Sequence, residues 1–312
     1  MIDSAARWPE CAPMIQTLTV REACAETPLV RRIVLAGPCP AFEAGAHVRV
    51  ETPAGSRAYS LVDLPGRGGD WVLGVRLEDA SSGGSAHMHG LRVGDEITLS
   101  GPENHFPLEH NGPVLLIAGG IGITPILSMA AECLRTECEF SLHYYGRAPG
   151  TLAFVTELET MCGDRLHLHY DTDGVPDFEA LMFGQPAGRA VYVCGPSGMI
   201  DAVRAATRGP VHSELFVNAP EGEDTAFEVE VKSTGQIVTV PPGMTIIEAL
   251  EAEGLDIVYD CQRGDCGICQ TDVLDGIPDH RDVVLSDAEK AAGNVMQICV
   301  SRARTPRLVL DL

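Results

Sequence analysis

Four cysteines constrain what this chain can fold into more than any other feature. Cys261-Gln-Arg-Gly-Asp-Cys266-Gly-Ile-Cys269 has the spacing C-x4-C-x2-C, and Cys299 lies far downstream. This is the plant-type [2Fe–2S] pattern. Two irons and two sulfides need four thiolates converging on one small volume, and a loop delivers three of them only by wrapping the cluster. Gly264 and Gly267 let the backbone turn tightly and aim N–H donors at the sulfides. A zinc site or a set of buried thiols is the competing reading. Zinc ribbons use paired knuckles of similar spacing, whereas here one tight triplet is joined by one distant ligand. Cys11, Cys24, Cys39, Cys133, Cys138 and Cys162 lack any such spacing and read as ordinary thiols.

A chain of 312 residues has room for two or three domains around that loop. Its 22 Lys and Arg against 44 Asp and Glu give a net charge of −22, which argues against nucleic acid or an anionic membrane as partner. The first residues carry no basic leader or signal-length apolar core, and no run approaches the ~18 apolar residues of a membrane span. Eleven cysteines in that context read as cytoplasmic thiols and metal ligands rather than a disulfide framework.

Three segments follow from the local pattern. Residues 1–110 contain short β-type runs such as Val30–Leu35, His47–Glu51 and Trp71–Leu77 between turn residues, as in an antiparallel barrel or sandwich; a barrel is expected. Residues 111–217 alternate strand and helix: Val114–Ala118, Pro125–Arg135, Glu139–Tyr145, Leu166–Tyr170, Val191–Cys194 and Ser197–Ala206. That alternation predicts an α/β domain with a parallel sheet. Residues 218–226 are polar and acidic and read as a linker. Residues 227–312 combine a hairpin, a short helix over Thr245–Glu253 and the cysteine loop, a compact α+β module.

Val114-Leu-Leu-Ile-Ala-Gly119-Gly120-Ile-Gly122-Ile-Thr124-Pro125 reads as a buried strand, a glycine turn and a helix start. Thr124 is expected at the N-cap with Pro125 at the first helical position. Helix-start N–H groups suit a pyrophosphate. Val191-Tyr-Val-Cys194-Gly195-Pro196 ends a second strand in a tight turn at the same sheet edge, where α/β proteins bind ligands. On a barrel strand, Arg57-Ala-Tyr59-Ser60 places Arg57 and Tyr59 on one face, two residues apart. The pairs His87 and His89, His105 and His110, and His167 and His169 show no carboxylate or cysteine at helpful spacing and read as surface or loop histidines.

With the closing run Met296-Gln-Ile-Cys299-Val-Ser-Arg-Ala, residues 227–312 resemble a plant-type ferredoxin domain. The whole chain resembles the phthalate dioxygenase reductase family, which orders its modules as flavin, nicotinamide, ferredoxin. The resemblance implies that Gly120, Gly122, Thr124, Cys194, Gly195 and Pro196 line the NAD(P) site; Asp171, just after the strand Leu166–Tyr170, reads as a hydrogen-bond partner of the nucleotide or as a solvated loop acid. It makes Arg57, Tyr59 and Ser60 the flavin fingerprint and Ser82-Gly83-Gly84-Ser85 the phosphate loop, with Gly74-Val75-Arg76 adding contacts and a cation. Glu214-Leu-Phe216 matches the Glu-x-Phe that places an aromatic near the flavin. Ser60, Thr124, Cys194 and Glu214 are the candidates for contact with the reacting centres. Module order implies FMN, and the single arginine in Tyr144-Tyr145-Gly146-Arg147, without a basic cluster for a 2′-phosphate, favours NADH.

The implied activity is hydride transfer from NADH to FMN and single-electron transfer through the cluster to a Rieske oxygenase. Rieske centres lie at about −150 mV and above, against about −400 mV for plant-type clusters, so that flow is downhill. A cytochrome P450 or another acceptor in place of the oxygenase, or a redox-sensing iron–sulfur protein, are the alternatives.

Overall fold

The computed structural model describes residues 15–66, 69–78, 83–109, 112–185, 188–215, 225–259, 264, 267–282 and 284–312. The chain divides into two compact units after Glu214.

The first unit opens with six strands: β1 (Ile15–Ala25), β2 (Val30–Ala36), β3 (His47–Thr52), β4 (Gly55–Val62), β5 (Trp71–Arg76) and β6 (Glu96–Glu103). They close an antiparallel barrel in the order β1-β2-β5-β4-β3-β6, so the barrel reading holds over the sandwich. Side-chain alternation explains the closure: Val48 and Val50 of β3 face a core with Leu61, Trp71, Leu73 and Leu99, while Arg49 and Glu51 face away. A short helix, α1 (Gly84–Gly90), follows β5. Arg31 of β2 ties it down by donating to the carbonyls of His89 and Leu91.

Five parallel strands follow in the order β11-β10-β7-β8-β9. Interleaved with them in the chain are β7 (Val114–Gly119), α2 (Ile123–Arg135), β8 (Phe140–Gly146), α3 (Val155–Cys162), β9 (Leu166–Tyr170), α4 (Phe178–Phe183), β10 (Ala190–Cys194), α5 (Ser197–Ala206) and β11 (Val211–Glu214). Every residue of β7 is buried, as a central strand covered on both faces requires. Helix α2 bridges to the barrel: Ser128 Oγ donates to the Leu61 carbonyl at 2.7 Å and accepts from the Asp63 N–H at 2.8 Å. A second tie is ionic. Arg32 of β2 pairs with Glu26 at 2.5 Å and with Glu157 of α3, and lies over the Phe154 ring.

In the second unit, β12 (Phe227–Val231) and β13 (Gln236–Val240) form the expected hairpin. After it come α6 (Ile246–Ala252), β14 (Gln270–Asp275), β15 (Pro278–Asp279), α7 (Asp287–Ala292), β16 (Val295–Gln297), β17 (Arg302–Ala303) and β18 (Arg307–Leu310). The main sheet runs β13-β12-β18-β14-β16, with β12 and β18 parallel. Thr245-x-x-Glu248 closes a capping box on α6, the N–H of Glu248 reaching Thr245 Oγ1 at 3.1 Å and that of Thr245 reaching Glu248 Oε2 at 2.8 Å. Thr245 is thus the cap of the expected helix rather than its first residue.

Candidate functional site

Strand β7 ends at Gly119, and a 3-10 turn, Gly120–Gly122, leads into α2. This turn displaces the expected cap. Gly122 takes the N-cap position and Thr124 is the second helical residue, its Oγ1 donating to the Ile121 carbonyl at 3.1 Å. The sequence pattern missed this because Thr-Pro is a common helix start and nothing local marks the extra turn. Gly122 packs on the end of β10: a Cβ there would lie 2.2 Å from the Cys194 carbonyl oxygen and 2.9 Å from the Gly195 nitrogen. Only hydrogen fits between the two turns. Cys194 is fully buried, Gly195 is buried and Pro196 is exposed at the start of α5.

A cavity of about 640 Å³ opens at this edge, lined by Gly120, Pro196, Arg76, Tyr145, Asp171 and Met199 among others. That volume is in the range of cofactor pockets. Asp171 lies in an exposed 3-10 turn, Asp171–Asp173, and lines the same cavity as Gly119 and Gly120. Deeper in the wall, His143 Nδ1 lies 3.0 Å from His169 Nε2, and the Tyr145 ring stacks on His169 at 4.3 Å. Burial, then the neighbouring charges of His167 and His169, push the His143 pKa down to about 3; burial also lowers that of His169. His167 and His169 are therefore parts of strand β9 stacked against β8, not loop residues.

On β4, Arg57 and Tyr59 share one face of the barrel strand and Ser60 lies on the other. Ser60 is 4% exposed, and its hydroxyl has no hydrogen-bond partner among the described residues. A buried hydroxyl without a partner is costly unless a bound group satisfies it. Tyr59 is half-buried and its phenol is pushed up to about 12 by burial, against the opposing pull of Arg57. The Arg57 stem runs beside Gly84, where a Cβ would meet its Cγ at 3.0 Å. Gly83 and Ser85 flank that contact, with Ser85 Oγ accepting from the Glu78 N–H at 3.2 Å; Ser82 lies outside the described residues. Gly74 and Val75 of β5 are buried, and the Thr124 methyl packs against Gly74. Thr124 therefore meets barrel strand β5 as well as the glycine turn, and Arg76 reaches the cavity. Glu214 is buried at the end of β11, in register with Cys194. Phe216 lies outside the described residues.

In the second unit, Cys269 and Cys299 are both buried, and the N–H of Ile298 reaches the Cys269 carbonyl at 3.4 Å. Cys261 and Cys266 lie outside the described residues. Gly264 has φ +75, and a Cβ on it would press Val300 at 2.6 Å, so Gly264 lies hard against the segment carrying Cys299. Two buried thiols on facing segments, with two more cysteines close by in the sequence at Cys261 and Cys266, are a donor set that fits an iron–sulfur cluster.

One cluster escaped the sequence reading. Glu103, two positions before His105, receives both His105 and His47, so these histidines do have a carboxylate partner. His47 is distant in sequence and arrives only through the barrel register.

Comparison with known proteins gives consistent likenesses. Family models match residues 229–304, described as a 2Fe-2S iron-sulfur cluster binding domain, and residues 112–160, described as a ferric reductase NAD binding domain. The chain is 43% identical over 282 residues to phenoxybenzoate dioxygenase subunit beta of Ectopseudomonas oleovorans, covering 87% of this chain and 88% of that one. The crystal structure of a phthalate dioxygenase reductase, described as carrying electrons from pyridine nucleotides to [2Fe-2S], matches with 33% identity and a TM-score of 0.79, over 96% of this chain and 98% of that one. An intact type IV self-sufficient cytochrome P450 monooxygenase matches 96% of this chain at 34% identity and a TM-score of 0.68, the match spanning 41% of the P450 chain.

Proposed function

This chain belongs to the phthalate dioxygenase reductase family, and on that premise we propose how its residues carry electrons from NADH through a flavin and a [2Fe–2S] cluster to an oxygenase. It is an oxidoreductase. A bound flavin accepts two electrons with a hydride and releases them singly, which lets a one-electron cluster be filled from a two-electron donor.

Positioning is the protein's share of the chemistry. The Ser60 hydroxyl donates to the flavin ring system, Tyr59 lies against it and Arg57, with the Gly83-Gly84-Ser85 turn, holds its phosphate. Backbone groups of Gly74 and Val75 complete the seat, and Thr124 couples it to the nucleotide turn. Gly120 and Gly122 hold the pyrophosphate at the start of α2. Cys194, Gly195 and Pro196 flank the nicotinamide beside Glu214, while Asp171 and Arg76 meet the nucleotide across the cavity. The family likeness assigns Phe216 as the aromatic of the Glu-x-Phe match, and Cys261, Cys266, Cys269 and Cys299 as the ligands of the irons. The observation that carries this reading is the hydroxyl of buried Ser60, without a hydrogen-bond partner among the described residues, on a strand that also bears Arg57 and Tyr59.

FMN as the flavin and a Rieske-type oxygenase as the electron acceptor belong to the same proposal, supported by module order. Docking is transient and electrostatic: from Ala226 onward the chain has 15 acidic and 7 basic residues, suited to a basic patch. The modules are 1–110, 111–217 and 227–312, joined by a linker at 218–226, and the location is cytoplasmic. A second acceptor, a cytochrome P450, is favoured by the likeness to the self-sufficient enzyme.

Anaerobic titration with NADH, followed by visible spectroscopy, is the test. Flavin and iron–sulfur bands bleach together if the relay is as proposed; flavin bleaching that leaves the cluster oxidised defeats it. Chromatography of the released flavin identifies FMN. Faster electron delivery to a Rieske oxygenase than to a P450 separates the two acceptors.

A further inference from the structure

His47, Glu103 and His105 meet at one rim of the barrel, where β3 begins and β6 ends. Both imidazole Nε2 atoms approach the same carboxylate oxygen: Glu103 Oε2 lies 3.7 Å from His47 and 3.5 Å from His105. Donors bound at ~2.0–2.1 Å to one tetrahedral zinc ion lie roughly 3.4 Å apart. The spacing within the triad is therefore near that of a bound ion, and the three ligand atoms all fall within 4.8 Å of one another. Ladder pairing fixes the backbones of His47 and Glu103.

We propose that His47, Glu103 and His105 form a binding site for one divalent transition-metal ion of the zinc class, with solvent completing the coordination. Two imidazoles and a carboxylate are the donor set of zinc and its neighbours, whereas magnesium and calcium require oxygen ligands throughout. Burial suits the role: the His47 side chain is 2% exposed and backs the site, while Glu103 at 28% and His105 at 21% leave a way in. Arg49 Nε stands 3.7 Å from the same Glu103 oxygen, beyond hydrogen-bond distance. Its side chain reaches solvent, so it balances the carboxylate before the ion enters and turns outward afterwards.

The test uses the chain with its flavin and cluster in place, dialysed against buffered free zinc, with zinc and iron both counted by atomic emission. One zinc per chain appears beyond the cluster iron, the iron is unchanged, and E103Q and H105A each abolish the extra zinc at the same free concentration. Flavin content of each variant reports its fold, and H105A alters a loop residue outside the strand ladder. No extra zinc on the unaltered chain overturns the proposal. So does extra zinc that H105A retains, which places the ion on thiols such as Cys133, Cys138 and Cys162 instead.

Discussion

The proposed nucleotide edge and the proposed flavin strand share one compact unit, yet they are built from different atoms. At the edge, backbone meets backbone: Gly122 lies against the Cys194 carbonyl, and a single methyl would fall 2.2 Å from it. On β4 the proposed seat is made of side chains, Arg57, Tyr59 and Ser60, projecting from a strand paired with β3 along Gly55–Ser60. A site made from backbone fails by addition. One made from side chains fails by degrees, as atoms are removed.

Gly122→Ala therefore has the largest expected effect. The new Cβ must push α2 or the Cys194 turn aside, and a displacement of about 1 Å at a positioned reactant costs roughly 100-fold in rate. NADH-driven reduction of a small electron acceptor should fall by about that factor while flavin content stays near normal. A variant within a few-fold of the parent would show the two turns to be compliant, and the contrast would collapse.

Arg57→Ala comes next. Hydrogen bonds to charged groups are worth about 1.5–3 kcal/mol, so flavin affinity should weaken by roughly 10- to 100-fold. Fluorescence of flavin released on dilution measures it. Unchanged retention would move the phosphate away from Arg57. Ser60→Ala removes one neutral hydroxyl worth about 0.5–1.5 kcal/mol, so flavin reduction by NADH should slow by roughly 2- to 10-fold with the flavin still bound. Stopped-flow absorbance separates that rate from binding; an unaltered rate would mean that Ser60 does not touch the ring.

The same contrast explains what could be read from the residues in order. The cysteine loop, the two glycine turns and β4 are local strings, so their chemistry shows at short spacing. Thr124 was misplaced at the helix cap because the 3-10 turn ahead of α2 is set by packing on β10, which the string does not contain. His47 with Glu103, and His143 with His169, are joined only by strand register, one pair across β3 and β6 and the other across β8 and β9. Helix α1 was hidden for a different reason. Its seven residues, GSAHMHG, are a weak helix sequence, held in place by Arg31 and by His89 contacting the Val75 carbonyl at 2.8 Å.

The smallest effect concerns His143 and His169, the two imidazoles in the wall of the cavity. Burial, then His167 and His169, hold His143 neutral down to about pH 3, whereas in the unfolded chain it takes up a proton near its ordinary value of about 6.5. As pH falls below about 6.5 the unfolded state binds the extra proton and the folded state does not, so stability declines toward pH 3 and is flat above neutrality. His143→Gln removes that titration while keeping a polar side chain beside His169. The melting temperature of the variant should therefore fall less steeply than that of the parent between about pH 7 and pH 5. Equal slopes would mean that His143 protonates in the folded state, and the column would then confront the nucleotide with a cation.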